Sequence, residues 1–515
     1  MQPHTKRKVV SLELNRVEGD LEVKIEYDGE KVTDAWCIGL MYRGFEQILR
    51  GRAATDGLVI TPRICGICST SHSYAAVAAL EHAWQCPIAP NGTRVRNLCL
   101  MTEGIQSDAR HSFLMFTIDL CNPRYRDVEG YDRVQTLFEA FSGRTYVETL
   151  QRTKDILKIV AIFGGQWPHS GSFMPGGVTA RPTRAQLRRA RDLINEYQGW
   201  YEASVLGCRT ERWLRNHTAD DVEAWLDEAE AHRKSAIGTF WRFTRAIGLH
   251  RTGVGEGNLL SFGNYFDPVR WQPPFEEPAM LLPGGFHDAE TGLDSPFDHR
   301  EVTEHVRYSH FVDSGDGRHP WQGETSPVAG PRDGSYSWAK APRYRGKVCE
   351  LGPLADLYHG GDPLVRGLFA AEGSNSFLRQ FARIHRAAPT FELMHRTLDE
   401  LVADLDEPFL IRPTPRATAQ GVGFVSAARG GLAHWIELVD GEIERYQIIT
   451  PTSWNASPRD SAGTPGHWES TMIGTPIADL EDPIELAHII RSHDACLVCT
   501  VHVLDLDRRF RFGAA

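Results

Sequence analysis

Residues 63–76 read RICGICSTSHSYAA, and residues 493–515 read HDACLVCTVHVLDLDRRFRFGAA. Each stretch holds a Cys-x-x-Cys pair: Cys65 with Cys68, and Cys496 with Cys499. Such spacing sets two sulfurs on one side of a turn or helix start. Two pairs together make a soft tetrathiolate site that suits zinc, iron–sulfur or nickel. On spacing alone a structural zinc site and a redox dithiol both stay open. The pairs lie near opposite ends of the chain, so a shared site requires a fold that brings the ends together. The residues after Cys68, STSHSYAAVAALEHAW, read as a helix with Ser69 or Thr70 near its cap. A helix N-terminus stabilises nearby thiolates. His72, four residues after Cys68, is placed to hydrogen-bond a ligand sulfur.

Around these clips the chain has 515 residues, 41% hydrophobic and 24% charged, enough for an extensive core. The net charge of −11 argues against a nucleic-acid partner. Ten cysteines in this length are no disulfide scaffold and point to a reducing compartment. No run of about 20 apolar residues suggests a membrane span. The start, MQPHTKRKVVSLELNRVEGD, lacks the apolar stretch of a secretory leader. The expected location is cytoplasmic, with membrane association only through a partner.

Residues 8–42 alternate apolar and polar with a turn at Asp28-Gly29, which predicts a hairpin or small sheet. Three- and four-residue apolar spacing predicts helices over 70–84, 93–120, 142–163, 184–206, 219–247, 363–405 and 480–492. Residues 250–355 are rich in Gly, Pro and aromatics and read as irregular with short strands, and 421–450 as a β segment. The expected architecture is α+β and predominantly helical: one large domain with a helical core and peripheral β segments, its terminal cysteine pairs meeting at a buried metal site.

The flanking residues narrow the metal. RICGICSTSH and HDACLVCTVH resemble the Arg-x-Cys-Gly-x-Cys-x-x-x-His and Asp-Pro-Cys-x-x-Cys-x-x-His motifs of nickel–iron hydrogenase large subunits. The resemblance continues, in family order, through NRVEGDLEV (15–23), YRGFEQILRGR (42–52), FGGQWPHSGSFMPGGV (163–178), GNLLSFGNY (257–265), HPWQGETSP (319–327), YSWAKAPRY (336–344), ELGPLA (350–355) and YQIITPTSWN (446–455). A zinc protein has no reason to carry these segments. The SAARGG and DSGDG stretches look more like the cytosolic uptake-type branch. Ala495 and Ala428 stand where the family often has Pro, and Ser426 where many members have Glu.

The resemblance implies that Cys65 and Cys496 are terminal nickel ligands and that Cys68 and Cys499 bridge nickel to an iron bearing carbon monoxide and cyanide. Glu18 would be the proton gate. Arg429 would stand over the metals, held by Asp108 and Asp494. A buried Arg needs such partners, and its guanidinium would orient dihydrogen rather than act as an easy base. Glu46, His502 and the backbone carbonyl of Ile448 would bind magnesium or another divalent ion. The implied reaction is heterolytic uptake of dihydrogen, with electrons leaving through a small subunit that holds the iron–sulfur clusters. Heterodimers of the two subunits are expected to associate further. Residues 1–502 would form the domain. Residues 503–515 would be an extension removed by a maturation endopeptidase after nickel-insertion proteins have acted. A dihydrogen-sensing regulatory subunit and a respiratory-complex relative without hydrogenase activity are the alternatives. The tail speaks against the first and the four cysteines against the second.

Overall fold

In the computed structural model, the structure describes residues 8–13, 16, 21–275, 279–313, 315–328, 330, 332–494 and 496. The elements that position the site are strands β1 (Lys8–Glu13), β2 (Leu21–Tyr27) and β3 (Val32–Gly39), helices α1 (Ser69–Trp84), α2 (Pro90–Arg110), α3 (Arg184–Trp200), α4 (Pro353–His359) and α5 (Ser376–Ala403), strands β4 (Ala419–Ala427), β5 (Gly430–Val439) and β6 (Glu442–Ile449), and helix α6 (Ile484–Ser492). The helical expectation holds in kind. The predicted 93–120 helix is α2 followed by a π turn at His111–Phe116 and a 3-10 turn at Thr117–Cys121. The predicted 219–247 helix is three shorter helices, broken at Ala229 and Ser235.

α1 is buried along its whole length except at His82. Its alanines, Ala75, Ala76, Ala78, Ala79 and Ala83, explain how: small side chains let another backbone come close. That backbone is β4. A Cβ added at Gly421 would lie 2.1 Å from the Ala79 carbonyl oxygen, and one at Gly423 would lie 2.1 Å from that of Ala75. The two glycines alternate on the strand face that meets α1. β4, β5 and β6 form an antiparallel meander, and Phe424 and Trp435 belong to the main core, Phe424 against Phe262 and Phe297. α5 packs on α2 and α3, and closes the helical layer over the site. α3 begins at a reciprocal cap between Thr183 and Gln186.

β1–β2–β3 is the predicted N-terminal sheet, antiparallel throughout. Its apolar face does not join the main core. Val23, Ile25, Val32, Ala35 and Cys37 pack instead against Trp468, Met472 and, from α6, Leu486, Ile489 and Ile490. Backbone bonds from Val32 to Thr475 and from Gly474 to Val32 tie the same regions. The first strands thus form a seat for the last helix, and this joins the two ends of the chain.

Gly423→Ala is expected to destabilise the protein by about 3 kcal/mol, because the added methyl meets helix backbone that cannot give way. Gly104→Ala, on α2 with nothing near its Cβ position, is expected to be neutral or to stabilise by up to about 1 kcal/mol. Urea unfolding of both variants checks the pair. Equal midpoints would remove the close-approach explanation.

Candidate metal centre

Cys68 is the N-cap of α1, one residue earlier than the sequence suggests, and the first free N–H groups of the helix go elsewhere than to Ser69 or Thr70. The buried Glu103 carboxylate, from α2, accepts from Thr70 N (2.9 Å), Ser71 N (3.0 Å) and Ser71 Oγ (2.8 Å). A negative group at a helix N-terminus is favourable, and here it fixes the turn that presents Cys68. Burial pushes the Glu103 carboxyl up, against the pull of those hydrogen bonds. On the other side His169 Nδ1 lies 3.1 Å from the Pro62 carbonyl and bounds the loop before Cys65.

The C-terminal clip arrives through α6. Asp494 follows its end with φ +57, the left-handed conformation that helix ends reserve for Gly or Asn. Cys496 N then donates to Thr452 Oγ1 at 3.1 Å. The sulfurs of Cys65, Cys68 and Cys496, all buried, lie within 4.8 Å of one another, with Cys65 and Cys496 Sγ 3.6 Å apart. Among the described residues this is the one such grouping of metal-ligating side chains. Cys499, Glu18 and His502 lie outside the described residues.

Arg429 stands over this cluster at the tip of the β4–β5 hairpin. Ala427 pairs with Gly430, so Ala428 and Arg429 are the two loop residues, and both are buried. Arg429 Nε donates to the Asp494 carbonyl (3.0 Å), and Nη2 lies 3.0 Å from Asp494 Oδ1. Nη1 is buried without a hydrogen-bond partner among the described residues. Burial opposes the Arg429 charge, but Asp494 and the sulfurs of Cys496, Cys68 and Cys65 outweigh it and hold the guanidinium protonated. Burial likewise opposes the Asp494 charge, and Arg429, His111 and Arg383 outweigh it, so its carboxyl stays below the usual range. Asp108 does not meet Arg429. It takes Arg386 on both oxygens, at 2.7 and 2.8 Å, and Arg383 at 3.2 Å, and reaches Arg429 indirectly, through Arg383 and Asp494 and through the Ala428 carbonyl. The physical reason is that α5 places its arginines between them.

A cavity of about 10 Å³ remains between Cys68, Cys496, Arg429 and His72, room for about one water molecule. His72 Nε2 is buried with no partner among the described residues, while Nδ1 lies 3.1 Å from His434 Nε2 and His434 Nδ1 lies 2.9 Å from the Tyr446 hydroxyl. Soft sulfur donors, a fixed cation and an unpartnered imidazole nitrogen around one small space fit a compact thiolate-bound metal group.

Glu46 accepts from Ile448 N (2.9 Å) and from the Thr325 hydroxyl. Lys340 Nζ lies 3.3 Å from Glu46 and from Glu304, and 2.7 Å from Gln447 Oε1. Burial pushes the Glu304 carboxyl up to about 7, while the two carboxylates keep Lys340 protonated in spite of burial. Ile448 therefore meets Glu46 through its N–H. The oxygen donors converge on one buried point, and their hardness suits a divalent cation, although Lys340 is the cation they meet here. Sequence reasoning missed Glu103, Arg383, Arg386, His111, His434 and Lys340. Arg379, Arg383 and Arg386 recur at helical spacing in an otherwise apolar stretch, which was a usable signal; the others gave none.

The family model described as nickel-dependent hydrogenase matches residues 43–142 and 124–502. The periplasmic NiFeSe hydrogenase large subunit of Desulfomicrobium baculatum is 32% identical, over 95% of this chain and 94% of its own. The uptake hydrogenase large subunit of Rubrivivax gelatinosus is 27% identical over 98% and 96%. A solved variant of the NiFeSe hydrogenase of Desulfovibrio vulgaris Hildenborough superposes with a TM-score of 0.81 at 28% identity, covering 97% of this chain and 100% of that one.

Burial holds His72 down at about 4, although the Cys65 sulfur pulls it up, and holds His434 well below its ordinary value. Both are neutral in the folded, metal-free chain. The unfolded chain binds a proton at each near pH 6.5, so stability is full above that and falls as pH drops toward 4. One such group accounts for about 3 kcal/mol across the window. Urea midpoints of metal-free wild type and His72→Gln, measured from pH 7 to pH 4.5, are expected to converge as pH falls. Parallel curves would contradict a buried neutral His72.

Proposed function

The chain belongs to the nickel-dependent hydrogenase family, and from that membership we propose that its cysteine cluster holds the nickel–iron group of a dihydrogen-uptake enzyme. It is a hydrogenase large subunit, an oxidoreductase. The observation that carries the proposal is the meeting of Cys65, Cys68 and Cys496 sulfurs from opposite ends of the chain beneath a protonated Arg429. Cys499 completes the set. When bound, the group, with carbon monoxide and cyanide on iron, supplies the Lewis-acidic metals at which dihydrogen is polarised.

The chain's residues do the rest. Arg429, aimed into the cavity, orients dihydrogen and cannot itself be an easy base. Asp494 holds it in place. His72 presents its Nε2 to the same space, where it would donate to a metal-bound sulfur. Glu18 takes the proton away. Electrons leave to an iron–sulfur small subunit through a large obligate contact. Magnesium or another divalent ion, held by Glu46, the Ile448 carbonyl and His502, would sit near Lys340. The setting is cytoplasmic, which the nine free cysteines among the described residues support. Residues 503–515 are removed once nickel is in place, after which the clip closes.

The large chain, separated from its iron–sulfur partner, is expected to contain nickel and iron in equal amounts and no zinc, and the native heterodimer to show infrared bands of bound carbon monoxide and cyanide. Cys496→Ser should lose nickel and activity together, since a hydroxyl is a poor soft-metal ligand. Zinc in place of nickel in the native protein would end this reading.

Intact-mass measurement tests the tail separately. Active enzyme should end at His502, and nickel-starved cells should accumulate the form ending at Ala515. Active, nickel-loaded protein that retains Ala515 would show that cleavage is not needed.

A further inference from the structure

On α5 the arginines follow one face, and two of them reach the Arg429 hairpin. Arg383 Nη1 lies 3.0 Å from Asp494 Oδ2 and donates to Asp108 Oδ1 and the Ala428 carbonyl, both at 3.2 Å. Arg386 Nη2 donates to the same carbonyl at 2.7 Å while its fork closes on Asp108, and its Nη1 reaches Asp356 at 3.2 Å. Asp356 is held in turn by the hydroxyls of Ser261 and Ser426. All these groups are buried.

This arrangement grips Arg429 twice. Ala428 is its neighbour in the hairpin loop, so the two guanidiniums on the Ala428 carbonyl fix the backbone from which Arg429 projects. Asp494 is its carboxylate partner, and a carboxylate gripped by one arginine can rotate with it. Here Arg383 takes Oδ2, while Arg429 and His111 Nδ1 lie at Oδ1, each at 3.0 Å. The carboxylate plane is therefore set from outside the Arg429 pair.

We propose that Arg383 is a positioning residue for the reaction: its guanidinium Nη1 meets Asp494, Asp108 and the Ala428 carbonyl at one point and thereby fixes the direction in which Arg429 points. The proposal rests on the reading of Arg429 as the group that orients dihydrogen. A lysine at 383 keeps the charge, but its ammonium ends about one bond short of the Nη1 position at which the three acceptors converge. Charge balance alone would be satisfied by either residue.

The test is a double-mutant cycle on the metal-loaded heterodimer: wild type, Arg383→Lys, Arg429→Lys and the pair. Nickel and iron contents are measured first. Arg383→Lys is expected to lower kcat ~100-fold through misorientation, and by no more than about twofold when Arg429 is already Lys. The infrared bands of the iron-bound diatomic ligands give a readout that needs no turnover. They should shift in Arg383→Lys and not shift further in the double variant. Equal losses in both backgrounds, or wild-type kcat and bands in Arg383→Lys, would overturn the proposal. Should Arg383→Lys lose its metals, Arg383→Gln, which keeps a donor toward Asp494, goes through the same cycle. A metal-loaded wild type that does not turn over dihydrogen would instead remove the functional reading, and the infrared comparison would still decide whether Arg383 positions Arg429.

Discussion

Arg429 carries a charge without contact with water, and a buried cation is tolerated only where opposite charge and hydrogen bonds meet it. Asp494 supplies both, through its carboxylate and its own carbonyl. Asp494 is also two residues from Cys496, so the ion pair that makes the arginine tolerable is the contact that brings the last clip to the first. In water such a pair would contribute little. Out of water, the loss of either partner leaves an uncompensated charge, which costs several kcal/mol. The geometry of the centre is thus fixed less by the sulfurs than by the polar contacts that surround them.

The framework around that pair is built for close approach. α1 delivers Cys68 at its first turn, and β4 delivers Arg429 at its last. The distance between those two points depends on how near the helix axis lies to the strand. Ala on the helix against Gly421 and Gly423 on the strand makes that distance as short as backbones allow. Larger residues would still give a helix and a strand, but they would separate thiol from guanidinium. At the other end, β2 and β3 bury α6, so the segment carrying Asp494 is fastened by apolar contacts before any metal is involved.

Part of this was legible in the sequence, and for definable reasons. Helical periodicity located α1 to within one residue and the starts of α2 and α3 to within three, but it ran past the ends of α2 and α3 and merged α5 with the separate helix Pro363–Glu372 before it. The single-residue errors at the cap of α1 arose because Cys68 occupies the position that Ser69 or Thr70 would ordinarily take, with the N–H groups satisfied by Glu103 from a distant part of the chain. No local pattern reveals a cap supplied from another helix. Asp108, which the resemblance pairs with Arg429, is buried and instead meets Arg383 and Arg386. The stripe Arg379, Arg383, Arg386 was the readable sign, because three cations on the apolar face of a buried helix demand partners.

The buried arginines and carboxylates around Arg429 tie the C-terminal segment to the charge balance of the whole site. Arg386, Arg383 and Arg429 face Asp356, Asp108 and Asp494, three buried groups of each sign. With residues 493–496 undocked, Asp494 is missing and three guanidiniums share two carboxylates. The surplus cation would lie beside Cys65 and Cys68, where it favours their ionised form. Docking of the segment then brings the balancing carboxylate and the next sulfur together, on one short stretch of backbone. The carboxylate of Asp494 and the sulfur of Cys496 thus reach the arginines and the first clip together, and their electrostatic attraction is separate from any metal–sulfur bonding.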